Sequence, residues 1–261
     1  MASKQTLSMN GPTFLRGSAM LIIWGGLDQG KTNKEEEELN DWWSNEHLPE
    51  RLAIDGFLRT RRFHALREGI SQYLVWYEVA NLEVLTSPDY MAALNSPTPG
   101  TRRFMPILAS MNRSACRVLY SVSRPEFSKC KEGPTGGTIA HVVLEPPQSS
   151  EGRQQILYWI QRDGWAGLVC YPGTLALHLM EHDEAASNSG SKTKSYDGVR
   201  FQDRSEDARG RWILLVEYAE TITAPFAKHQ AASEALRRGI HGCGVVSGDP
   251  QYYSLICAAA E

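Results

Sequence analysis

The alternation of hydrophobic and polar positions divides the chain into two stretches with the same predicted order of elements. Apolar runs predict strands, apolar residues at helical spacing predict helices, and glycine, proline and polar clusters separate them. In the first stretch we predict strands at 18–27, 57–66, 72–79 and 115–123, with helices at about 34–54 and from 88 to 111, the second interrupted by Pro97 and Pro99. In the second we predict strands at 138–145, 175–181, 212–220 and 251–259, with helices at 151–163 and 224–237. Both stretches therefore follow the order β-α-β-β-α-β.

A diverged tandem repeat explains this order. An ungapped shift of 139 residues lays Tyr73–Ala80 over Trp212–Ala219. The shift matches Glu78 with Glu217, which predicts a structural role for this acid in both halves.

The strands of both halves are apolar on both faces, as 20–24, 73–79 and 213–218 show. An antiparallel sheet with one face in water would alternate apolar and polar residues. One face should therefore pack on helices and the other on a second sheet. We predict an α+β fold in which two ferredoxin-like units pack sheet to sheet as a barrel within one chain.

The predicted boundaries follow from composition. Residues 1–17 form a polar, flexible N-terminal tail, 18–124 the first repeat, 125–137 a linker rich in glycine and proline, and 138–261 the second repeat. The polar stretch 183–210 interrupts the second repeat and is typical of a mobile surface loop. The alternative is a lid over the mouth of the barrel.

Composition and charge restrict the function classes. A formal net charge of −3 gives no basic surface for nucleic acid, and no apolar run of about 18 residues predicts a membrane span. The five cysteines form no CxxC pair, which argues against a disulfide framework or a zinc site. The N-terminus lacks the apolar run of a signal peptide. We expect a cytoplasmic protein that acts on a small molecule, with no nucleic-acid or membrane partner.

The segment 39–57 carries the strongest signal for a functional site. Leu39, Trp42, Trp43 and Glu46 share one stripe of a helix. Pro49 should break or kink that helix and open a second turn that ends at Gly56. The bend then places His47 beside two tryptophans and an acid, as in the wall of a small-molecule pocket.

His47 is the leading candidate for a general acid or base, because its ordinary pKa lies near neutrality. The alternative is a histidine that caps the helix break. Glu46 either orients His47 or, as we prefer, forms a salt bridge with Arg51. Trp42 and Trp43 are core residues or substrate walls, and core packing is favoured.

The strand 57–66 places two basic sets on opposite faces. We expect Arg62 and His64 to face the barrel and clamp a carboxylate or phenolate. The alternative is an ion pair with the acidic run Glu35–Glu38. Tyr73 and Tyr77 share a face of the next strand and could bond a ligand oxygen or simply pack.

Two motifs for a cofactor or metal are weak. Gly25 and Gly30-Lys31-Thr32 fit the spacing of a phosphate loop, but the acids that open the following helix would repel phosphates. His178 and His182 lie on a predicted strand about 13 Å apart, too far to share a metal ion. We therefore expect no cofactor and no metal.

The stretch Trp42-Trp43-Ser-Asn-Glu46-His47-Leu-Pro49-Glu-Arg51, followed by Gly56-Phe57-Leu-Arg59-Thr-Arg-Arg62-Phe63, resembles the EthD-like branch of the dimeric α+β barrel superfamily. The resemblance implies ferredoxin-like units that normally pair as a homodimer, here fused in tandem as in fungal secondary-metabolism proteins. It leaves open whether the fused barrels dimerise again. The superfamily includes cyclases, decarboxylases, dehydratases, cofactor-free monooxygenases and haem-binding branches, so fold does not settle the reaction.

The second half has Tyr158-Trp159-Ile-Gln-Arg-Asp163-Gly-Trp165 where the His-x-Pro element should lie. We therefore expect one site per chain, in the first half, with the second half mainly a structural partner. We expect a cofactor-independent cyclase, dehydratase, decarboxylase or isomerase acting on a small apolar, aromatic or polyketide-derived metabolite. The alternatives are a non-catalytic ligand-binding or stress-associated barrel, and a cofactor-free or haem-linked monooxygenase. The predicted site residues are His47, Arg62 and His64 for catalysis, and Trp24, Trp42, Trp43, Arg51, Tyr73 and Tyr77 for substrate binding.

Overall fold

A computed structural model describes residues 15–27, 32–66, 72–108, 110–127, 135–202, 210–220 and 226–261, the last range without side-chain detail for 226–230. Most of the predicted tail and linker, and the glycine-lysine part of the candidate phosphate loop, lie outside these residues.

The first half contains four strands and four α-helices in the described residues. The strands are β1 (Ala19–Gly26), β2 (Phe57–Ala65), β3 (Tyr73–Val79) and β4 (Ser110–Ser123). The helices are α1 (Asn33–Trp42), α2 (Leu48–Leu52), α3 (Pro88–Asn95) and α4 (Pro99–Phe104). A π-helix (Trp43–His47) joins α1 to α2, and short 3-10 helices lie at Leu82–Thr86, Met105–Ile107 and Pro125–Phe127.

The second half repeats the plan, with an extra helix between its second and third strands and an extra short strand before its last one. Its strands are β5 (Thr138–Glu145), β6 (Thr174–His182), β7 (Trp212–Tyr218), the short β8 (Val246–Ser247) and β9 (Gln251–Ala260). Its helices are α5 (Ser150–Trp159), α6 (Trp165–Val169), α7 (Glu184–Ser191) and α8 (Phe226–Gly242), with a π-helix (Ile160–Gly164) between α5 and α6 and a 3-10 helix at Lys194–Tyr196.

Eight strands close into an antiparallel barrel. The order within the first half is β4-β1-β3-β2, and within the second half it is β9-β5-β7-β6. The two sheets join twice, because β4 pairs with β6 and β2 pairs with β9. The predicted intramolecular dimeric α+β barrel is therefore confirmed.

The helices cover the outside of the barrel and create three packed layers. One hydrophobic cluster lies between the first sheet and its helices, which we call the first helix layer, and a second lies between the second sheet and its helices. The third fills the barrel interior with large side chains from both halves, among them Met20, Trp24, Phe63, Trp76 and Tyr253. Each strand therefore faces a hydrophobic layer on both sides, which explains why the strands are apolar on both faces.

The repeat extends to irregular details. Both halves interrupt the first helix with a π-helix and continue into a short second helix. Gly56 and Gly173, at the equivalent turns before β2 and β6, have φ of 88° and 86°. A left-handed backbone strains residues with a Cβ, so glycine suits both turns.

Pro49 does not break the helix as expected. Leu48 keeps α-helical angles (φ −66°, ψ −46°) and donates its backbone N–H to the carbonyl of Trp43. The wider π turn accommodates the chain just before the proline, and the proline occupies the start of α2, where its missing N–H costs little.

The region after Pro99 also differs from the prediction. The helical segment ends at Ile107, and β4 begins at Ser110 rather than 115. The polar residues Asn112, Arg113 and Ser114 obscured the strand pattern, yet all three are buried and hydrogen-bonded.

The stretch 183–210 is not a simple surface loop. It forms α7 and the 3-10 helix Lys194–Tyr196, and we call residues 183–202 the insertion. The insertion packs on β4 and on the 3-10 helix Leu82–Thr86 of the first half, and it adds Ala186 and Tyr196 to the first helix layer. It therefore covers that layer rather than the mouth of the barrel.

No helix among the described residues has the length and apolar character needed to cross a membrane.

Candidate functional site

His47 ends the π-helix and points into the first helix layer. Its ring lies 4.8 Å from that of Trp42, and its Nδ1 lies 3.8 Å from Glu50 Oε2. Helix α2 brings Arg51 to the same place, one turn further on. The π-helix and α2 thus present an imidazole, a carboxylate and a guanidinium together.

A small enclosed cavity lies beside His47, and we call it the inner cavity. Its volume is about 10 Å³, which is the room needed by one water-sized group. Strand β1, the π-helix, α2, β3, α3 and the insertion all contribute to it. Its lining residues are Leu21, Ile23, His47, Arg51, Tyr77, Tyr90, Leu94, Met105, Ser195 and Tyr196.

The insertion supplies Ser195 and Tyr196 to this cavity. The site therefore belongs to both halves, although His47 comes from the first. The expectation that the second half is mainly a structural partner is wrong on this point.

Arg51 is a buried cation with few partners. Its side chain is 3% exposed, and its Nη2 lies 2.6 Å from Glu50 Oε1 at the partly exposed edge of the site. Its Nε and Nη1 have no hydrogen-bond acceptor among the described residues. The cavity therefore contains positive charge that is incompletely compensated.

Arg113 of β4 lies behind the cavity wall. It donates to the carbonyls of Ala186 and Ser187, at 3.3 and 2.7 Å, and to the hydroxyl of Tyr90 at 3.3 Å. Its Cζ also lies 5.8 Å from the ring centre of Tyr196. This arginine joins the insertion to the first half and contacts two of the tyrosines that line the cavity.

The ionisable groups favour a neutral base among protonated phenols. Burial, and then the cation of Arg51, hold the pKa of His47 well below its ordinary value. Burial also raises the pKa of Tyr77 and Tyr196. At neutral pH His47 is therefore uncharged and can accept a proton, while both tyrosines keep theirs.

Arg62 and His64 do not face the barrel, so that prediction is wrong. Arg62 points into the first helix layer, where it donates to Asn40 Oδ1 (2.5 Å) and Ser44 Oγ (2.8 Å). His64 is exposed, with its ring 5.1 Å from that of Tyr73. Neither residue lines the inner cavity.

The barrel-facing set of β2 is Arg59, Arg61 and Phe63. Arg59 donates to Glu78 at 2.7 Å, and Arg61 donates to both Glu78 (3.0 Å) and Glu217 (2.6 Å). Buried carboxylates on the barrel side of β3 and β7 need cationic partners. Because side chains alternate in direction along β2, Arg59 and Arg61 both point to the barrel side and lie next to these carboxylates. The structural role predicted for the paired glutamates agrees with these contacts.

Inside the barrel, Ser121 Oγ lies 2.8 Å from His178 Nδ1, and His178 Nε2 lies 2.8 Å from Glu217 Oε1. The order serine, histidine, acid matches that of a hydrolytic triad. Here Ser121 is 1% exposed, and Glu217 also accepts a hydrogen bond from Arg61. We assign this group to the buried ion network that joins the halves.

The predicted aromatic residues occupy three places. Tyr77 lines the inner cavity, and Trp42 contacts His47. Trp43 and Tyr73 pack against each other and against Arg62 in another part of the first helix layer, and Tyr73 donates a hydrogen bond to Glu36. Trp24 lies in the barrel interior, 4.8 Å from the ring of His141, so it does not reach the cavity of His47.

Glu46 neither orients His47 nor pairs with Arg51. It accepts a hydrogen bond from Thr98 at 2.6 Å, and Glu50 contacts both His47 and Arg51 instead. Glu50 lies three residues after His47 and directly before Arg51, so the acid that contacts both comes from α2 and not from the π-helix.

A larger outer groove, of about 810 Å³, lies between α1 and α4. Trp42 and Phe104, whose rings are 5.4 Å apart, form part of its wall. Trp42 also contacts His47, so this ring touches both the lining of the outer groove and the histidine of the inner cavity. The remaining lining residues are Glu37, Glu38, Asp41, Asn45, Glu46, Pro99, Gly100 and Arg103.

Sequence reasoning missed Tyr90, Arg113, Ser195 and Tyr196. Tyr90 lies on α3, and Arg113 lies on β4 between the predicted end of the helix at 111 and the predicted start of the strand at 115. The other two belong to a stretch whose composition predicts a loop. Nothing local in the sequence marks them, because only the tertiary fold brings the insertion onto the first half.

The same fold is found in solved structures of low sequence identity. An anthrone oxidase-like protein superimposes with a TM-score of 0.59 at 13% identity, over 95% of each chain. A protein of Fusobacterium nucleatum named as a monooxygenase gives 0.52 at 10% identity, over 94% of this chain and 96% of that one. A protein named as a chlorite dismutase gives 0.51 at 11%, over 92% and 94%. At these identities the likeness shows the dimeric α+β barrel fold.

No protein-family model matches the chain, and no curated protein sequence matches it.

Proposed function

We propose that the chain is an enzyme that moves a proton on a small, largely apolar, aromatic or polyketide-derived substrate in the cavity of the first half. The observation that supports this most strongly is a buried histidine kept neutral beside an incompletely paired arginine and three tyrosines. The resemblance of the His47 segment to EthD-like proteins supports the same choice.

His47 acts as the base in this proposal. It removes a proton from a carbon next to a carbonyl, and the electron pair moves onto the carbonyl oxygen to give an enolate, or it removes the hydroxyl proton of a phenol to give a phenolate. Arg51 and the tyrosine hydroxyls then stabilise the charge that develops on that oxygen, which is a large source of catalysis in a site that excludes water. Cyclisation, dehydration and isomerisation can begin with this step. Decarboxylation of a 3-oxo acid reaches the same kind of enolate by loss of CO₂, and Arg51 and the tyrosines would stabilise that oxyanion in the same way.

The inner cavity admits one oxygen-sized group, so the substrate ring needs further space. The outer groove offers that space, and Trp42 touches both the lining of the groove and His47. We propose that the ring binds on the groove side while Trp42 or the insertion moves during binding. This proposal retains the lid function for the insertion at a different position.

Cofactor-free oxygenation is the second candidate. Proteins of this fold include ones named as a monooxygenase and as anthrone oxidase-like, and removal of a proton by His47 would also start such a reaction. The electron-rich carbanion would then reduce O₂. A haem at His47 does not fit the described residues, because the ring packs on Trp42 and its Nδ1 faces Glu50 beside a cavity of about 10 Å³.

Anthrone can test both candidates, because its methylene protons are acidic and its conjugate base carries the charge on oxygen. Under argon in D₂O, proton abstraction is measured as exchange of the methylene protons by NMR. In air, oxygenation converts anthrone and O₂ into anthraquinone and water, followed by absorbance. We expect the wild type to accelerate exchange and His47→Ala to lose the acceleration, while His241→Ala, at an exposed position, keeps it.

Exchange under argon without anthraquinone in air supports the acid-base enzyme, and both activities together support oxygenation. Saturable binding of anthrone without either reaction supports the ligand-binding alternative. A purified protein with a Soret band, or exchange that survives His47→Ala in a folded protein, contradicts the proposal.

A further inference from the structure

Three tyrosines line the inner cavity. Tyr90 accepts a hydrogen bond from Arg113 at 3.3 Å, and a guanidinium can only donate. The oxygen of Tyr90 therefore acts as an acceptor toward Arg113, and its own proton is available for another group. Tyr77 and Tyr196 line the same cavity, and burial raises the pKa of both phenols, so each keeps a proton that it can donate.

Arg51 adds further donors to the same space. Its Nε and Nη1 lack acceptors among the described residues, and the residue is 2% exposed. Ser195, 4% exposed, also has a hydroxyl without a partner there. A site lined with this many donors fits a ligand atom that only accepts.

The charges around the site agree with that role. Arg113 is buried, and its described partners are carbonyl and phenol oxygens rather than a carboxylate. Glu50 is the carboxylate next to Arg51, and its side chain is 24% exposed at the edge of the site. Two buried cations thus face one partly exposed acid.

We propose that the inner cavity binds a single phenolate or enolate oxygen of the substrate, held by Arg51, Tyr77, Tyr90 and Tyr196. The cavity volume of about 10 Å³ favours one oxygen over the two of a carboxylate. This inference rests on the proposed function and gives its substrate class: a phenol or an enolisable ketone that reacts as its oxyanion.

Arg113 is a positioning residue in this arrangement. It donates to the oxygen of Tyr90, so the phenol proton of Tyr90 is directed elsewhere, and its guanidinium lies 5.8 Å from the ring centre of Tyr196. It also fastens the insertion, through Ala186 and Ser187, so that Tyr196 faces the first half. The oxyanion site is complete only when the insertion of the second half is in place.

The test uses 4-nitrophenol, whose phenolate is yellow, and 4-nitroaniline, which has the same shape but presents N–H donors. We expect the wild type to bind the phenolate at least about tenfold more tightly than the aniline. The pKa of bound 4-nitrophenol should fall by about one unit or more, since a tenfold preference for the anion corresponds to one unit.

Tyr196→Phe and Tyr90→Phe each remove one donor and keep the ring. Each should weaken phenolate binding about 10- to 100-fold, the range for a hydrogen bond to a charged group, and leave aniline binding nearly unchanged. Tyr120→Phe, in the helix layer of the second half, is the matched control and should change neither. Arg113→Met should raise the pKa of the bound phenol, and Arg113→Lys should restore part of the shift.

Equal binding of the two probes, or equal loss of both in Tyr196→Phe, would overturn the inference and would indicate that the polar groups hold a structural water molecule. If Arg113→Met fails to fold, Tyr196→Phe decides, because it removes one oxygen atom. The phenolate preference without anthrone exchange would uphold the binding site and refute the enzyme. Anthrone exchange that depends on His47, without a preference for the phenolate, would support the enzyme and refute the oxyanion-binding site.

Discussion

The two halves share a backbone plan but differ in chemistry at equivalent positions. His47, the last residue of the first π-helix, corresponds to Gly164 in the second. Arg51 of α2 corresponds to Leu168 of α6, and Tyr77 of β3 to Val216 of β7. In the second half, each of these three polar side chains is thus replaced by an apolar side chain or by glycine.

Both halves share the backbone geometry of the π-helix, but they do not share the polar side chains around it. π-Helices often mark functional sites, yet the described residues contain two, and only the first presents titratable groups to an internal cavity. Arg162 and Asp163 of the second form an exposed ion pair. In the second half, Trp159 packs where the polar site would be: a Cβ on Gly164 would lie 3.2 Å from its ring. The π-helix is therefore a feature of the fold, and the side chains decide what it does.

The largest expected effect comes from removing the histidine. His47→Ala should lower turnover of an accepted substrate by about 10²- to 10⁴-fold, the usual contribution of a positioned acid or base. The loss should lie in kcat more than in KM, because the interaction belongs to the transition state. Steady-state kinetics measure both. Gly164→Ala at the equivalent position should not affect kcat, and a folded His47→Ala variant with full turnover would refute the assignment.

The next effect concerns the ion network that both halves share. Burial would raise the pKa of Glu217, but Arg61 and His178 outweigh it and lower that pKa to about 2. Its ionised form therefore stabilises the fold above the ordinary pKa of 4.5, and this contribution is lost as the pH falls from there toward 2. Glu217→Gln should lower the free energy of unfolding by about 3–5 kcal/mol at pH 7, because it leaves Arg61 less compensated.

Urea unfolding followed at several pH values measures this effect. The variant should show a weaker loss of stability between pH 4.5 and 2 than the wild type. Glu234→Gln, at an exposed ion pair of α8, is a control and should cost little at any pH. Equal pH dependence of wild type and Glu217→Gln would contradict the assignment.

Arg51→Leu gives the first half the residue that the second half has. Burial comes first and Arg51 second in lowering the pKa of His47, so this variant should raise that pKa toward its ordinary 6.5. We expect the acid limb of the kcat profile well below pH 6.5 in the wild type, and it should move to higher pH in this variant. Stability should stay within about 1 kcal/mol or increase, since the incompletely paired cation disappears.

Arg62→Leu, which also copies the second half (Leu179), is the control for this experiment. It should leave the pH profile of kcat in place, because Arg62 contacts Asn40 and Ser44 away from His47. An unchanged profile in Arg51→Leu would show that the arginine does not act on the histidine.

The smallest expected effect is that of Pro49→Ala. The second half forms its π-helix with Ala166 at the equivalent position, so the proline is not required for that geometry. We expect a change of about 1 kcal/mol or less in the free energy of unfolding, arising mainly from the unfolded chain. A loss of several kcal/mol would show that the two π-helices have different causes.

Much of the fold was predictable because it depends on local pattern and on repetition. Strands apolar on both faces required two covering layers, and the match of Glu78 with Glu217 gave the correct relation between β3 and β7. The kink at Pro49 was not predictable from α-helical rules, because the chain widens to a π-helix instead of breaking. The early start of β4 was hidden because Asn112, Arg113 and Ser114 are buried polar residues whose partners are distant in sequence.

The site was predicted in part, for a physical reason. His47, Arg51, Tyr77 and Trp42 lie together because one helix and one strand deliver them, and such short-range relations can be read from sequence. Arg62 and His64 were assigned to the wrong face, although Glu78 on the barrel side of β3 indicates that Arg59 and Arg61 belong there. Tyr196 could not have been placed, because its position depends on how the insertion folds over the other half.

The pairings of β4 with β6 and β2 with β9 have a consequence for assembly. In a protein built from two separate chains, these pairings would form between subunits and would depend on concentration. Here they form within one molecule, so dilution does not separate the halves. Each half can also change in sequence without an identical change in the other half. A second copy of the chain that binds this one must use a surface other than these strand edges, because they already pair with each other.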